Sequence, residues 1–182
     1  NELNGLGYII EMDPYDKTRP LKKRTALGRY AHESAAFGPV VPGQPLAVYM
    51  GDDSKNEYIY KFVSNANWIT ADASAADRIA TGDKYLDKGT LYVASFKDNG
   101  TGEWIELSMN NPIIAANPDF EFTSDADVAI FTRLAADAVG ATKMDRPEDV
   151  DVNPQTNKVY AMLTNNTRRK AEQRSEERRV GK

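Results

Sequence analysis

Apolar and polar positions alternate over short stretches of the first half of the chain, and the segments between them are rich in Gly, Asn, Asp and Pro. A period of two places successive side chains on opposite faces, so each alternating stretch predicts a half-buried β-strand. "YIIEMDP" (8–14) predicts a strand closed by an Asp-Pro turn, with "KKRTALGRY" (22–30) as its hairpin partner after "YDKTRP". "LAVYMGDD" (46–53) and "EYIYKFVS" (57–64) form a second pair with a three-residue link. "GTLYVASF" (89–96) and "GEWIELS" (102–108) form a third, joined by the Gly/Asn-rich turn "KDNGT".

The period changes in two places. Residues 65–88, "NANWITADASAADRIATGDKYLDK", are Ala/Asp-rich and weakly helical, and they predict a surface insertion. "SDADVAIFTRLAADAVG" (124–140) has apolar residues at helical spacing, a cap at Ser124 or Asp125 and a stop at Gly140, so it predicts one helix. "DRPEDVDVNPQTNKVYAML" (145–163) returns to strand, Asn-Pro turn and strand. Strand pairs at this spacing predict a mainly β fold, a partial β-propeller with a helical insertion, spanning residues 1–169. An antiparallel β-sandwich is the alternative.

A weak internal repeat points the same way. "HESAAF…LAVYMGDD" and "RPEDVDV…KVYAMLTNN" share a plan. Each has a Glu preceded by a basic residue, then apolar residues, a turn and an alternating strand, ending in the polar pair Asp52-Asp53 or Asn165-Asn166. Inner strands of propeller blades converge on one axis, so two such copies would aim Glu33, Glu148 and the polar pairs at one place.

Composition narrows the chemistry. The chain has 182 residues and no run approaching the ~20 apolar residues of a membrane helix. A net charge of −4 leaves no whole-chain footprint for nucleic acid. Cysteine is absent, which removes disulfides, zinc-thiolate sites and Cys nucleophiles, and His32 is the single histidine. Any metal must then be held by oxygen ligands, which favour hard cations such as calcium. No Walker loop, GxGxxG, HExxH or GxSxG motif occurs, and "DNGTGE" (98–103) reads as a hairpin turn rather than a calcium loop. The start, "NELNGLGYIIEMDP", shows no signal peptide and predicts a piece from the interior of a longer protein. At the other end, residues 170–182 predict a charged tail. Within it "RSEERRVGK" (174–182) matches the translation of a common sequencing adapter, with a solvated charged segment as the alternative.

Arg146, Pro147 and Glu148 carry the sharpest chemical signal. A carboxylate at a strand start can ligate calcium, and an arginine two residues away can present a fork of donors to phosphate. From spacing alone the same pair reads first as an exposed ion pair at a sheet edge, since surface pairs are common and weak. Glu33 after His32, and the Asp52-Asp53 and Asn165-Asn166 pairs, read either as metal ligands or as edge and turn residues. Tyr58, Tyr60, Trp68 and Trp104 read as sheet packing.

Taken together, "GYIIEMDPYD…KKRTALGRYAHESA", "AVYMGDDSKNEYIYKFVS", "LDKGTLYVASF", "GTGEWIEL" and "FTRLAADAVGATKMDRPEDVDVNPQTNKVYAMLTNNTRR" closely resemble the PhoX-type bacterial alkaline phosphatases, over nearly all of residues 5–169. The resemblance implies a secreted or periplasmic phosphomonoester hydrolase on a β-propeller, with a calcium and iron cluster. It implies that Arg146 binds phosphate, that Glu148 and Glu33 are metal ligands, and that Asp52, Asn165 and Asn166 lie in matching ligand motifs. The family's iron site uses a Cys and carboxylates from an earlier part of the chain, so the iron ligands fall largely outside these residues. A monomer inactive on its own is the expectation, with phosphomonoesters and inorganic phosphate as partners of the whole enzyme. Two rivals remain: a non-catalytic, calcium-stabilised propeller that binds partners, and a sugar- or lactone-hydrolysing propeller with axial calcium.

Overall fold

The structure, a computed structural model, describes residues 3–168. The tail expected at 170–182 lies outside the described residues. Antiparallel sheets dominate, and the helices are few and short.

The first predicted hairpin is much reduced. Only β1 (Ile10–Glu11) and β2 (Lys22–Lys23) pair, with Ile10 opposite Lys23. The reason is Arg24. Its side chain is fully buried and bonds Glu11 (2.6 Å), Asp83 (2.7 Å) and Asp87 (2.8 Å), which turns the chain inward. A 3-10 turn over Thr25–Leu27 then drops Leu27 into the core in place of the expected strand.

β3 (Ala36–Phe37), β4 (Pro45–Gly51), β6 (Ile59–Asn67), β7 (Gly89–Phe96) and β8 (Gly102–Leu107) form one antiparallel sheet in the order β3-β4-β6-β7-β8. The short β5 (Lys55–Glu57) lies in the link between β4 and β6. Period-two patterning fixes the register. Val48 faces Phe62, Met50 faces Tyr60, and these face Leu91 and Val93 on β7, all of them buried. Each such fully buried apolar side chain contributes about 1.5–3 kcal/mol. Tyr49, Lys61 and Tyr92 line the opposite face, where the Lys61 ammonium sits 4.9 Å from the Tyr92 ring and 4.7 Å from Trp104.

The insertion between β6 and β7 holds a real helix, α1 (Arg78–Leu86). Asp77 caps it by accepting from the Ala80 N–H at 3.0 Å, and Ile79 and Tyr85 are buried. The helix predicted over 124–140 is two helices, α3 (Asp125–Ile130) and α4 (Thr132–Ala138), after the short α2 (Pro112–Ala115). The break at Phe131 has a local cause. Arg29 donates to the carbonyls of Ala129 (2.9 Å) and Ile130 (2.8 Å), and the Thr132 hydroxyl also donates to Ala129 (2.7 Å). Carbonyls spent on Arg29 bend the chain into two short helices. Ile114, Val128, Ala135 and Ala136 from these helices complete the core on one face of the sheet.

β9 (Met144–Asp145) pairs with β5, and β10 (Pro147–Val152) pairs with β11 (Val159–Leu163) as the predicted final hairpin. Ala161 and Leu163 pack with Ile59, Ala94 and Met144 on the other face of the large sheet. β10 crosses β4 at Gly51, where a Cβ would run into the Glu148 and Pro147 carbonyl oxygens. Among the described residues the sheets stay separate, and no closed propeller or barrel forms.

Candidate active site

Three segments meet where β10 crosses β4. The turn after β4 carries Asp52 and Asp53. Residues 31–34 lie beside it: His32 bridges Asp52, and the Asp53 N–H donates to the Ala31 carbonyl at 2.9 Å. The start of β10 supplies Arg146 and Glu148, and the Val150 N–H donates to the Ser34 hydroxyl at 2.8 Å. Of the residues that the repeat would aim at one place, Asp53 and Glu148 contact Arg146 and the Glu33 charge acts on it, whereas Asp52, Asn165 and Asn166 lie apart.

Arg146 is the centre. Its Nη2 donates to Asp53 Oδ2 at 2.9 Å and lies 3.1 Å from Glu148 Oε1. The hydrogen bond to Asp53, and then the charges of Asp53, Glu148 and Glu33, hold the guanidinium pKa above its ordinary value. The Arg146 backbone has φ of 52°, in the left-handed region that a side chain rarely adopts. Such strain costs of order 1–3 kcal/mol and persists where surrounding structure enforces it. Pro147 follows directly, and the register slips between Pro147 and Val150, so Glu148 sits at a bulge. Bulges re-aim side chains, and this one turns Glu148 toward Arg146. Thr164, just past β11, holds the same carboxylate by donating its hydroxyl to Oε1 at 2.8 Å.

Asp52 does not join this group. It is fully buried, and Arg133 takes both of its oxygens, Nη2 to Oδ1 at 2.6 Å and Nε to Oδ2 at 2.8 Å. Burial pushes the Asp52 carboxyl up, and the Arg133 fork works against that shift. Asn166 is buried too, and its amide donates to Asn56 (2.9 Å) and Asp145 (3.0 Å), so it ties the end of β11 to the β5–β9 pair. Asn165 is exposed. Glu33 is exposed at the rim. His32 stacks on Tyr30 at 3.7 Å between ring centroids and accepts burial at the cost of its charge, its pKa pushed down to about 4.

Asp53 is therefore the aspartate of the cluster, and strand parity carries the signal for it. Met50 points into the core, so period two sends Asp52 inward and Asp53 to the opposite face. Nothing in the linear sequence marks Arg133 or Thr164 as partners, because they lie 81 and 16 residues from Asp52 and Glu148.

Among the described residues, no group of three or more His, Cys, Asp or Glu side chains stands ready to hold a metal ion. The donor chemistry still suits a hard cation in part. Asp53 and Glu148 contact a single guanidinium and Glu33 acts on it by its charge, three carboxylates against one cation. These residues fit a portion of an oxygen shell and not a whole one. A cleft of about 740 Å³ lies elsewhere, lined by residues such as Tyr8, Asp87 and Ser108.

Antiparallel strands that carry a strained arginine between carboxylates define a mainly β protein with a charged cluster where β10 crosses β4. The chain belongs to the PhoX alkaline phosphatase family: the family model "Alkaline phosphatase PhoX" matches residues 1–182. A solved structure, Pseudomonas fluorescens PhoX in complex with vanadate, a transition state analogue, is similar at 43% identity and a TM-score of 0.78. That match covers 91% of this chain and 28% of the PhoX chain, so this chain spans under a third of the relative's length. No curated protein sequence matches. No helix among the described residues is long and apolar enough to cross a membrane.

Proposed function

We propose that this chain forms the phosphate-gripping part of a metal-dependent phosphomonoester hydrolase, with Arg146 as the residue that contacts the phosphoryl group. The observation that carries the proposal is Arg146 itself. A guanidinium with 33% of its side chain exposed, held on a strained backbone and flanked by carboxylates, has little to offer folding. It has much to offer an anion, since a guanidinium binds phosphate oxygens bidentately.

The charge balance explains why a metal belongs in the reading. A phosphomonoester dianion would meet two excess negative charges from Glu33, Asp53 and Glu148. Glu33, Asp53 and Glu148 would help hold cations, which when bound would supply positive charge and polarise the phosphoryl oxygens. Glu148, Glu33 and Asp53 would hold such cations rather than move protons, while the remaining ligands, those for iron above all, come from outside this chain. Calcium suits these carboxylates as a hard cation. Asn165 and Asn166 belong to the same proposal only as neighbours of the site; Asn166 is already engaged by Asn56 and Asp145. Arg146 would donate to an equatorial phosphoryl oxygen and stabilise the charge that builds in the transition state. Thr164 and the β10 bulge keep Glu148 in place for that arrangement.

In the same reading, the large sheet and the β10–β11 hairpin are successive blades of a propeller, supported by the hairpin's packing on the sheet face. Export from the cytoplasm and a monomeric whole enzyme follow the family resemblance and form part of the proposal. One observation favours the non-catalytic scaffold: Arg146 is already paired with two carboxylates. Inorganic phosphate separates the readings. A phosphatase site in the complete protein binds it at millimolar concentration or tighter, about 4 kcal/mol or more. Titration of the metal-loaded complete protein with phosphate, with no binding up to saturating salt-matched concentrations, would leave the scaffold reading.

A further inference from the structure

We propose that Arg133 is a positioning residue for the phosphate site, a clamp on α4 that sets Asp53 and the Glu33 loop against Arg146 without touching substrate. The proposal rests on the phosphatase reading for its consequence in catalysis, and on the contacts alone for its geometry.

Asp53 faces Arg146, and both of its chain neighbours are held by Arg133. Nε and Nη2 take the two oxygens of Asp52, and Nη2 also donates to the Ser54 hydroxyl at 2.9 Å. With residues 52 and 54 fixed by one planar fork, the side chain of residue 53 has a single direction in which to leave the turn. Asp52 passes the constraint on. Its Oδ1 accepts from the Ala31 N–H at 3.2 Å, which anchors the loop that carries Glu33. Backbone bonds close the arrangement: Asp53 N–H to Ala31 at 2.9 Å, Ser54 N–H to Asp52 at 2.7 Å, and Asp52 N–H to Tyr58 at 3.2 Å.

The cost of this device shows that it is not ordinary surface pairing. Asp52 has no exposed area, and it could be replaced by an apolar residue of the same parity as Met50 if only packing mattered. A buried carboxylate held by a forked arginine specifies geometry rather than adding net stability. Arg133 itself keeps one edge toward Glu57, 3.5 Å from its Oε2, so the clamp also ties the turn to β5. Lysine at 133 keeps the charge and loses the fork, so it cannot hold two oxygens of Asp52 and the Ser54 hydroxyl together.

The test has two readouts. In this chain, the side-chain Nε–Hε resonance of Arg146, assigned by its disappearance in Arg146→Lys, reports the ion pair with Asp53. In the complete enzyme carrying this chain, steady-state hydrolysis of p-nitrophenyl phosphate reports kcat and KM. Arg133→Lys, and the doubly neutral Arg133→Gln with Asp52→Asn, both move the Arg146 resonance toward that of a free arginine while the core amide signals stay dispersed. In the complete enzyme both lower kcat about tenfold to a hundredfold with a smaller change in KM, the signature of misplaced groups. The paired neutral variant guards against a misfolded Arg133→Gln, since it leaves no buried charge behind. A folded variant of either kind with the Arg146 resonance at its original position overturns the clamp. If the unsubstituted complete protein hydrolyses no phosphomonoester, the phosphatase reading falls, and the resonance still decides the clamp.

Discussion

Arg146 holds its guanidinium on a backbone that glycine would adopt without strain. Strain of that kind is maintained by Pro147, the β10 bulge and the crossing over Gly51. Arg146→Gly should therefore keep stability within about 1 kcal/mol, because relieved strain offsets the greater flexibility of the unfolded glycine. Urea unfolding of this chain checks it, and a loss of several kcal/mol would make Arg146 a structural residue. Glu57 makes a second prediction. Burial first, and the Asp52 charge after it, push its carboxyl up to about 7 against the pull of Arg133. Below the ordinary glutamate range both folded and unfolded chains carry the proton, and nothing is lost. Between that range and pH 7 the unfolded chain releases a proton that the folded chain keeps, so stability falls as pH rises. Above pH 7 the penalty is constant, of order 3 kcal/mol at most. Glu57→Gln should match the original chain near pH 4.5 and exceed it at pH 8 in thermal midpoint. Equal midpoints at both pH values would show that Glu57 ionises freely.

The hairpin β10–β11 owes its place to a contact at the level of elements. Gly51 lets the Pro147–Glu148 backbone lie directly on β4. Gly51→Ala should push the hairpin away, cost about 1–3 kcal/mol, and speed amide exchange across residues 147–163 while β6 and β7 stay protected. Unchanged exchange in the hairpin would mean that β4 yields instead. On the far side, Arg24 fastens α1 to β1. Three carboxylates, Glu11, Asp83 and Asp87, share its buried guanidinium, and Gly82 leaves room for it. Arg24→Met should cost about 2–4 kcal/mol, with the partial exposure of the partners keeping the figure below that of a wholly buried pair. Elements with unbroken alternation, β7 and β8 above all, were legible from the sequence almost to the residue. Elements set by one buried polar side chain were not. Arg24 shortens two predicted strands, and Arg29 divides a predicted helix, because each draws hydrogen bonds from residues distant in sequence. The same limit applies at the site: the repeat put Glu33, Glu148 and Asp53 in one neighbourhood, but the diversion of Asp52 to Arg133 needs the helix to be placed first.

At the scale of the molecule, the described residues leave apolar surface on the last hairpin. Tyr160 and Met162 are more than half exposed, and β11 has an open edge. Exposed strands with apolar side chains invite pairing with other strands. The purified chain should self-associate, and Tyr160→Lys with Met162→Lys should lower its average mass in sedimentation; an unchanged mass would place the contact elsewhere. In the propeller reading this surface is covered by the next strands of the complete protein. The chain alone should turn over no phosphomonoester, since it supplies three carboxylates and one arginine toward a site that needs further ligands. The most direct measurement is hydrolysis of p-nitrophenyl phosphate by the complete, metal-loaded enzyme with and without Arg146→Ala, each shown to be folded. A phosphate-gripping Arg146 predicts a loss of about 10²–10³ in kcat/KM. Wild-type turnover in the folded Arg146→Ala enzyme would contradict that role.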